Sequence, residues 1–303
     1  MNKKILTSMM LGLMCASPYI NAAANSDISP FPGDGENGIY VFNDQMPMSQ
    51  IQATIDKIYG DPQNETNGQR VNQFGKQRYA FLFMPGHYQL DVKVGYYTQV
   101  LGLGSSPDDV EITGAIRTQD RTPGDPHHPD WGPGALDNFW RSVENISVIP
   151  TLGSIKWSNV PKNQNVWAVS QAAPMRRVHI KGDLRLFDIG YSSGGYLADS
   201  IVDGTIISGS QQQWLTRNSQ WQKWDGSNWN MVFMGSNGSP DNSHGTEANT
   251  VVNDTPLIAE KPYLIYENDQ YQVVVPALSK NSKGTDWQAI NKTAKKISLT
   301  QFY

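Results

Sequence analysis

The chain of 303 residues contains one cysteine, Cys15, only 17% charged residues, and no apolar run long enough to span a bilayer. Each shortage excludes something. A lone cysteine near the N-terminus can form neither an internal disulfide nor a cysteine-ligated metal site. A formal charge of −4 without a basic stripe speaks against nucleic acid or an anionic membrane as partner. The longest apolar stretch, from Ile5 to about Ala16, falls short of the ~20 residues of a spanning helix. What is present excludes two more classes. With 38% hydrophobic and 10% aromatic residues the chain is too apolar for disorder, and 27 glycines with 18 prolines do not suit a helical bundle.

Residues 1–24 carry Lys3 and Lys4, then the apolar run, then Pro18 and a small-residue exit at Ala22-Ala23-Ala24. That layout predicts a secretory signal peptide cleaved near Ala22 to Ala24. Its removal takes two lysines and no acid, so −4 becomes −6. The expected mature product is one domain, residues 25–303, secreted or periplasmic and without disulfides.

Ile51, Ile55, Ile58 and Tyr59 fall at helical spacing, with Ser49 as a candidate cap and Gly60 as a stop, which predicts a helix over 49–59. From Tyr79 the pattern changes to short runs, four to seven residues long, bounded mostly by Gly, Asn or Asp. They include Tyr79–Met84, Tyr88–Val94, Val166–Val169, Ser200–Asp203, Gly204–Ile207 and Tyr271–Val275. Such runs predict an all-β fold. Asn145-Ile146-Ser147-Val148, Arg177-Val178-His179-Ile180 and Ser200-Ile201-Val202-Asp203 read as related steps at irregular spacing. That favours a parallel β-helix, in which each coil buries a short apolar row against its neighbours and a helix covers the open end. Sandwich and barrel stay open on periodicity alone.

Tyr79–Tyr88, with Pro85-Gly86 ending its first strand, and Thr98–Gly104, ending Leu101-Gly102-Leu103-Gly104, resemble the first coils of the pectate-lyase-like superfamily. Asn138–Asn145, Trp167–Arg177, Gly209–Ser219 and Ser227–Phe233 are similar to strings in secreted proteins related to family-55 glycoside hydrolases, exo-acting on β-1,3-glucan. The resemblance implies a right-handed parallel β-helix with an N-terminal capping helix and a carbohydrate ligand. It also implies two β-helices in tandem, with the acid/base machinery built from the second. This sequence corresponds to the first alone, so a second β-helix domain is an expected missing partner and no catalytic residue is carried across.

Trp214, Trp221, Trp224 and Trp229 crowd into sixteen residues with Gln211, Gln212, Gln213, Arg217, Asn218 and Asn228. Sugar rings present apolar C–H faces and ring hydroxyls, which a flat aromatic flanked by amide and guanidinium groups recognises. With Trp140, Arg141, Trp167 and Gln171 from the upstream strings, Gln212, Trp214, Arg217, Trp221, Trp224 and Trp229 are the candidate saccharide-binding residues; the competing reading is that the rings pack the solenoid. Glycoside hydrolysis needs two acids about 5–10 Å apart. Asp183 and Asp203, stacked one coil apart at roughly 4.8 Å, could form a pair, with Glu144 as a third candidate. Aspartates in β-turns more often satisfy backbone N–H groups. A lyase reading would use Asp-bound calcium with Arg176, Arg177 or Arg185 as base, yet nearby acids hold a guanidinium protonated. His127-His128 suggests no metal without further ligands, and His179 on a strand reads as structural. No metal and no cofactor is expected. Three functions remain: a β-1,3-glucan hydrolase-like protein, a non-catalytic glycan-binding or structural module, and a polysaccharide lyase.

Overall fold

Short β-rich runs separated by tight corners can bury their apolar residues only by stacking, and stacking is what the chain does. The computed structural model describes residues 38–59, 73–119, 134–154, 159–242 and 248–302; the leader, Phe31–Gly35, Trp131, Trp157 and His127-His128 lie outside them. In chain order the elements are β1 (Ile39–Phe42), helix α1 (Met48–Tyr59), β2 (Tyr79–Phe83), β3 (Gly86–Lys93), β4 (Thr98–Gly102), β5 (Val110–Arg117), β6 (Ser142–Pro150) and β7 (Gln164–Val166). Then follow β8 (Pro174–Ile180), β9 (Asp183–Arg185), β10 (Tyr196–Ala198), β11 (Ile201–Ile207), β12 (Gln213–Arg217), β13 (Gln220–Asp225), β14 (Asn230–Met234) and β15 (Asn249–Val252).

Every pairing among these strands is parallel. A main ladder runs β1-β2-β4-β6-β8-β10-β12-β14-β15. A second runs β3-β5-β6-β8-β11-β13, and a third links β7, β9 and β11. The long strands β6 and β8 serve two ladders because they bend midway, at Asn145 and Arg177, both with left-handed backbones (φ 54°). Asp199 (φ 48°), Asn218 (φ 46°) and Gly235 (φ 56°) turn the corresponding corners of later steps. The Asn145 amide donates to the Gly102 and Gly104 carbonyls at 2.9 and 2.7 Å, closing one such corner.

Period-two alternation sends one column of the main ladder inward: Phe81, Val100, Val143, Met175, Leu197, Thr216 and Phe233 are all buried. Helix α1 covers the β3 edge, with Ile51 and Ile55 in the core. The Gln52 side chain acts there as a surrogate strand: its Nε2 donates to the Asp91 carbonyl (2.9 Å) and its Oε1 accepts from the Asp91 N–H (2.8 Å). Edge groups that would otherwise template another chain are thus satisfied. The helix starts at Met48, so Ser49 lies inside its first turn and does not cap it.

The parallel pattern ends at β15. Antiparallel pieces follow: β16 (Thr255–Ile258), β17 (Tyr263–Glu267), β18 (Gln270–Val275), β19 (Ser279–Ser282), helix α2 (Trp287–Thr293) and β20 (Lys295–Ser298). The run Tyr271–Val275 therefore belongs to an antiparallel sheet, and a second helix joins the single one expected. This C-terminal segment lies on the outer face of the main ladder, where Leu82 and Leu103 pack with Tyr271. Three other expectations shift. The run Val166–Val169 yields strand only through Val166, with Trp167 forming one isolated bridge to Thr118. Ser200–Asp203 and Gly204–Ile207 merge into β11, with a register shift between Val202 and Thr205. Of the three related steps, Ile146 pairs Val178 in phase, but Ile201 pairs His179, so the third is one residue out of phase.

Candidate functional site

The corners preceding β4, β6, β8 and β10 also have positive φ. Tyr97 (φ 54°), Trp140 (φ 53°), Ala172 (φ 55°) and Gly194 (φ 140°) occupy that position in successive steps. Bulky aromatics adopt this conformation only where the surroundings enforce it, and such outliers gather at functional sites. Here the enforcement includes a hydrogen bond from the Tyr97 N–H to the Trp140 carbonyl (2.6 Å). The consequence is a platform: the Tyr97 and Trp140 rings stack with centroids 5.3 Å apart and planes 6° from parallel. The Arg78 guanidinium closes the stack, 3.7 Å from the Tyr97 centroid, and Phe74 meets Trp140 edge-on. Trp140 remains 39% exposed.

The platform walls a cleft of about 530 Å³, with Ala80, Gln99 and Ser142 among its other lining residues. Arg141, beside it, is buried; its guanidinium lies 4.6 Å from the Tyr96 centroid and donates to the Val94 carbonyl (2.8 Å). Burial lowers its pKa from the ordinary arginine value, against the pull of the Tyr96, Tyr59 and Asp137 charges. A second cleft of about 500 Å³ adjoins, lined by Gln171, Arg176, Tyr196, Gln213 and Leu215 among others, and shares Ala172 and Pro174 with the first. No carboxylate lines either cleft among the described residues.

The candidate tryptophans divide. Trp140 is at the groove. Trp167 is core, its indole N–H bound to the Ala173 carbonyl (3.1 Å). Trp221 and Trp224 close the end of the core against Phe233, the latter edge-on at 4.8 Å. Trp214 is 98% buried with its ring over Gly195, where any β-carbon would fall inside the indole; it contributes a ring edge to the second cleft and no open face. Trp229 is exposed but lines neither cleft. Of the polar candidates, Gln171 lines the second cleft, whereas Gln212 presents its backbone carbonyl to the Trp229 and Asn230 N–H groups. Arg217 is bonded to Glu260 at 2.7 Å. The array of indoles expected along one flank is therefore replaced by packing, because inward positions of the last strands need large apolar groups.

The acids separate too. The register sets Thr205, not Asp203, opposite Asp183, and the Asp183 Oδ1 accepts from the Thr205 N–H (2.8 Å). Asp203 instead meets the His179 Nε2 at 3.0 Å, while Asp108 meets Nδ1 at 2.8 Å. Both β8 and β9 pair with β11 at a constant spacing of 22 residues (Ile180 opposite Val202, Leu184 opposite Ile206), so Asp203, 20 residues after Asp183, falls two positions short of it. Glu144 is held at both oxygens by the Lys261 ammonium (2.8 and 2.6 Å). Nearby, burial raises Asp199 and Glu260 above the usual carboxylate range, opposed by Arg177 and Arg217 respectively. Arg177 itself is buried, bonded to Asn145, Asp199 and Asn291 and placed over the Tyr263 ring, which leaves it a structural clasp rather than a base. Among the described residues no three His, Cys, Asp or Glu side chains gather to hold a metal.

Tyr97, Arg78, Gln99 and Tyr196 are site residues that sequence reasoning missed. A signal existed: Tyr96-Tyr97 before β4 and Phe139-Trp140 before β6 are aromatic doublets at equivalent corners.

No family model matches the chain. It is 38% identical, over 309 aligned residues, to an exo-beta-1,3-glucanase of Streptomyces sp. (strain SirexAA-E / ActE), an alignment covering 98% of this chain and 46% of that protein. The solved structure of sacteLam55A from Streptomyces sp. SirexAA-E superposes with a TM-score of 0.73 at 38% identity, over 86% of this chain and 43% of that one. A variant of that protein in complex with glucose superposes with the same score. The chain spans about half the length of the relative it matches.

Proposed function

We propose that this chain is an exported β-1,3-glucan-binding protein, built as a right-handed parallel β-helix of the pectate-lyase-like kind, whose ligand rests on the Tyr97–Trp140 platform. The β-helix reading is supported by three parallel ladders whose strands, neighbours in space, follow one another along the chain, and by left-handed corners repeating from step to step. The export reading rests on the leader pattern of residues 1–24 and is checked by N-terminal sequencing of secreted material, expected to begin between Ala23 and Asn25.

The observation that carries the ligand reading is the stacked, partly exposed aromatic pair beside a groove free of carboxylates, in a chain 38% identical to a β-1,3-glucanase. An aromatic plate takes the C–H face of a pyranose, while Gln99 and Ser142 in the lining offer hydrogen bonds to hydroxyls. Hydrolysis needs an acid pair at the bond to be cleaved, and the described lining supplies none, so the groove binds a glucan without cutting it. Calorimetric titration with a soluble β-1,3-glucan tests this. Trp140→Ala is expected to cost roughly 2 kcal/mol, about thirtyfold in affinity. Unchanged affinity in that variant, or tighter binding of a polyuronate, overturns the reading; reducing-sugar release by the wild type overturns its non-hydrolytic half.

A further inference from the structure

We infer that the site takes a glucan chain lengthwise, along the ladder axis and across both clefts, rather than a single terminal sugar. This rests on the platform reading above and extends it to a stretch of surface with a different construction. The corner column that builds the wall changes character halfway. Tyr97 and Trp140 project rings, but Ala172, with the same left-handed turn, and Gly194, at φ 140°, project almost nothing. The wall therefore drops where the second cleft begins, and the two clefts run into one trough through Ala172 and Pro174.

The floor of that trough is one outward column of the main ladder: Gln99, Ser142, Pro174, Tyr196, Leu215 and Val232. Successive members are one strand spacing apart, so the column is ~24 Å long, several pyranose rings end to end. No residue of it is charged. Its far half begins at Tyr196, whose ring carries the Arg176 guanidinium at 4.5 Å. Gln171, Gln213 and Asn230 are exposed along the rim, where side-chain amides can both donate to and accept from sugar hydroxyls. A ligand confined to the platform would leave this second half without a role. A polymer crossing it gains contacts with each added residue.

The test is a length series: the full chain titrated with β-1,3-linked glucose oligomers of two, three and six units. The expected result is a rise in affinity of at least tenfold between three and six units. A Gln171→Ala/Gln213→Ala double variant, altered only at exposed side chains, is expected to bring the six-unit affinity down to that of the wild type for three units. Equal affinity for three and six units overturns the lengthwise inference and leaves the platform standing. A length gain that survives the double variant also overturns it, because the gain then arises elsewhere. A loss of about thirtyfold in Trp140→Ala for three- and six-unit oligomers alike, with the gain between them kept, supports a trough that adds to the platform; no binding of any oligomer to the wild type defeats both readings.

Discussion

Two regions rich in aromatic residues, 96–97 with 139–140 and 214–229, have opposite fates. In the first region, the second member of each doublet, Tyr97 and Trp140, stands at a left-handed corner outside the ladder with its ring turned outward, while Tyr96 stays buried. The second holds three of its four indoles inside. Trp221 and Trp224 are three residues apart, which alternation would place on opposite faces. Two consecutive exposed residues, Gln222 and Lys223, reset the phase, and the β11 register shift opposite lets Trp221 face Val202 and Trp224 face Ile206. Density of tryptophan in the sequence is thus a poor guide to which rings stay at the surface; the handedness of the backbone beneath Tyr97 and Trp140 is a better one. Charges show the same contrast. At the surface Lys181 bridges Asp108 and Glu111 at 3.1 and 2.6 Å, while Asp199 lies buried, its backbone carbonyl bonded by the Trp287 indole of the C-terminal segment.

The largest effect that would sharpen this contrast is on stability. Trp224→Ala removes a ring packed on Trp221 and Phe233, and a loss of about 3–5 kcal/mol is expected in denaturant unfolding. Glucan affinity of the folded fraction should not change; if it falls with stability unaltered, the assignment of buried and binding rings is reversed. Trp140→Ala should behave the other way, with the affinity loss given above and a smaller loss of stability than Trp224→Ala.

A smaller effect concerns acid. The hydrogen bond from Lys181 is the main cause that holds Glu111 below its ordinary value of 4.5. A lowered carboxylate stabilises the fold above its unfolded value, and that contribution fades as pH falls through the folded one. Asp199 and Glu260, raised by burial, have the opposite sign: their contribution is present below the ordinary value and lost as pH rises through the folded one. Thermal unfolding of Lys181→Met should accordingly lose less on acidification below 4.5 than the wild type, by under about 1 kcal/mol. An identical acid slope in both would remove the Lys181–Glu111 contact from the account. The smallest effect belongs to Trp229→Ala. Its ring is 65% exposed and outside both clefts, so stability and affinity should stay within ±0.5 kcal/mol of the wild type. A binding loss there would return the site to the 214–229 stretch.

Much of the fold is legible in the residues. Alternation in Tyr88–Val92, the turn residues between strands, and the Ile51–Ile55 stripe all act locally, so their period survives in the sequence. The Asn145–Ser147 and Arg177–His179 steps were also aligned in phase. The site was less legible for three physical reasons. Corner handedness at Tyr97 and Trp140 is set by neighbours one step away, not by local composition. The pairing of β9 with β11 matches residues 22 apart, so Asp183 and Asp203, 20 apart, miss each other, and that offset is fixed by corner lengths that no local pattern reveals. The partners of Glu144 and Arg217, Lys261 and Glu260, lie 117 and 43 residues along the chain in a segment that abandons the parallel pattern.

The most direct measurement is a crystal structure of the full chain soaked with a six-unit β-1,3-linked glucose oligomer. A pyranose stacked on the exposed face of Trp140, with further units running past Ala172 toward Tyr196, is the predicted result. Ordered sugar over Trp229 or along Asp203 and His179, with the Tyr97–Trp140 groove empty, would contradict it.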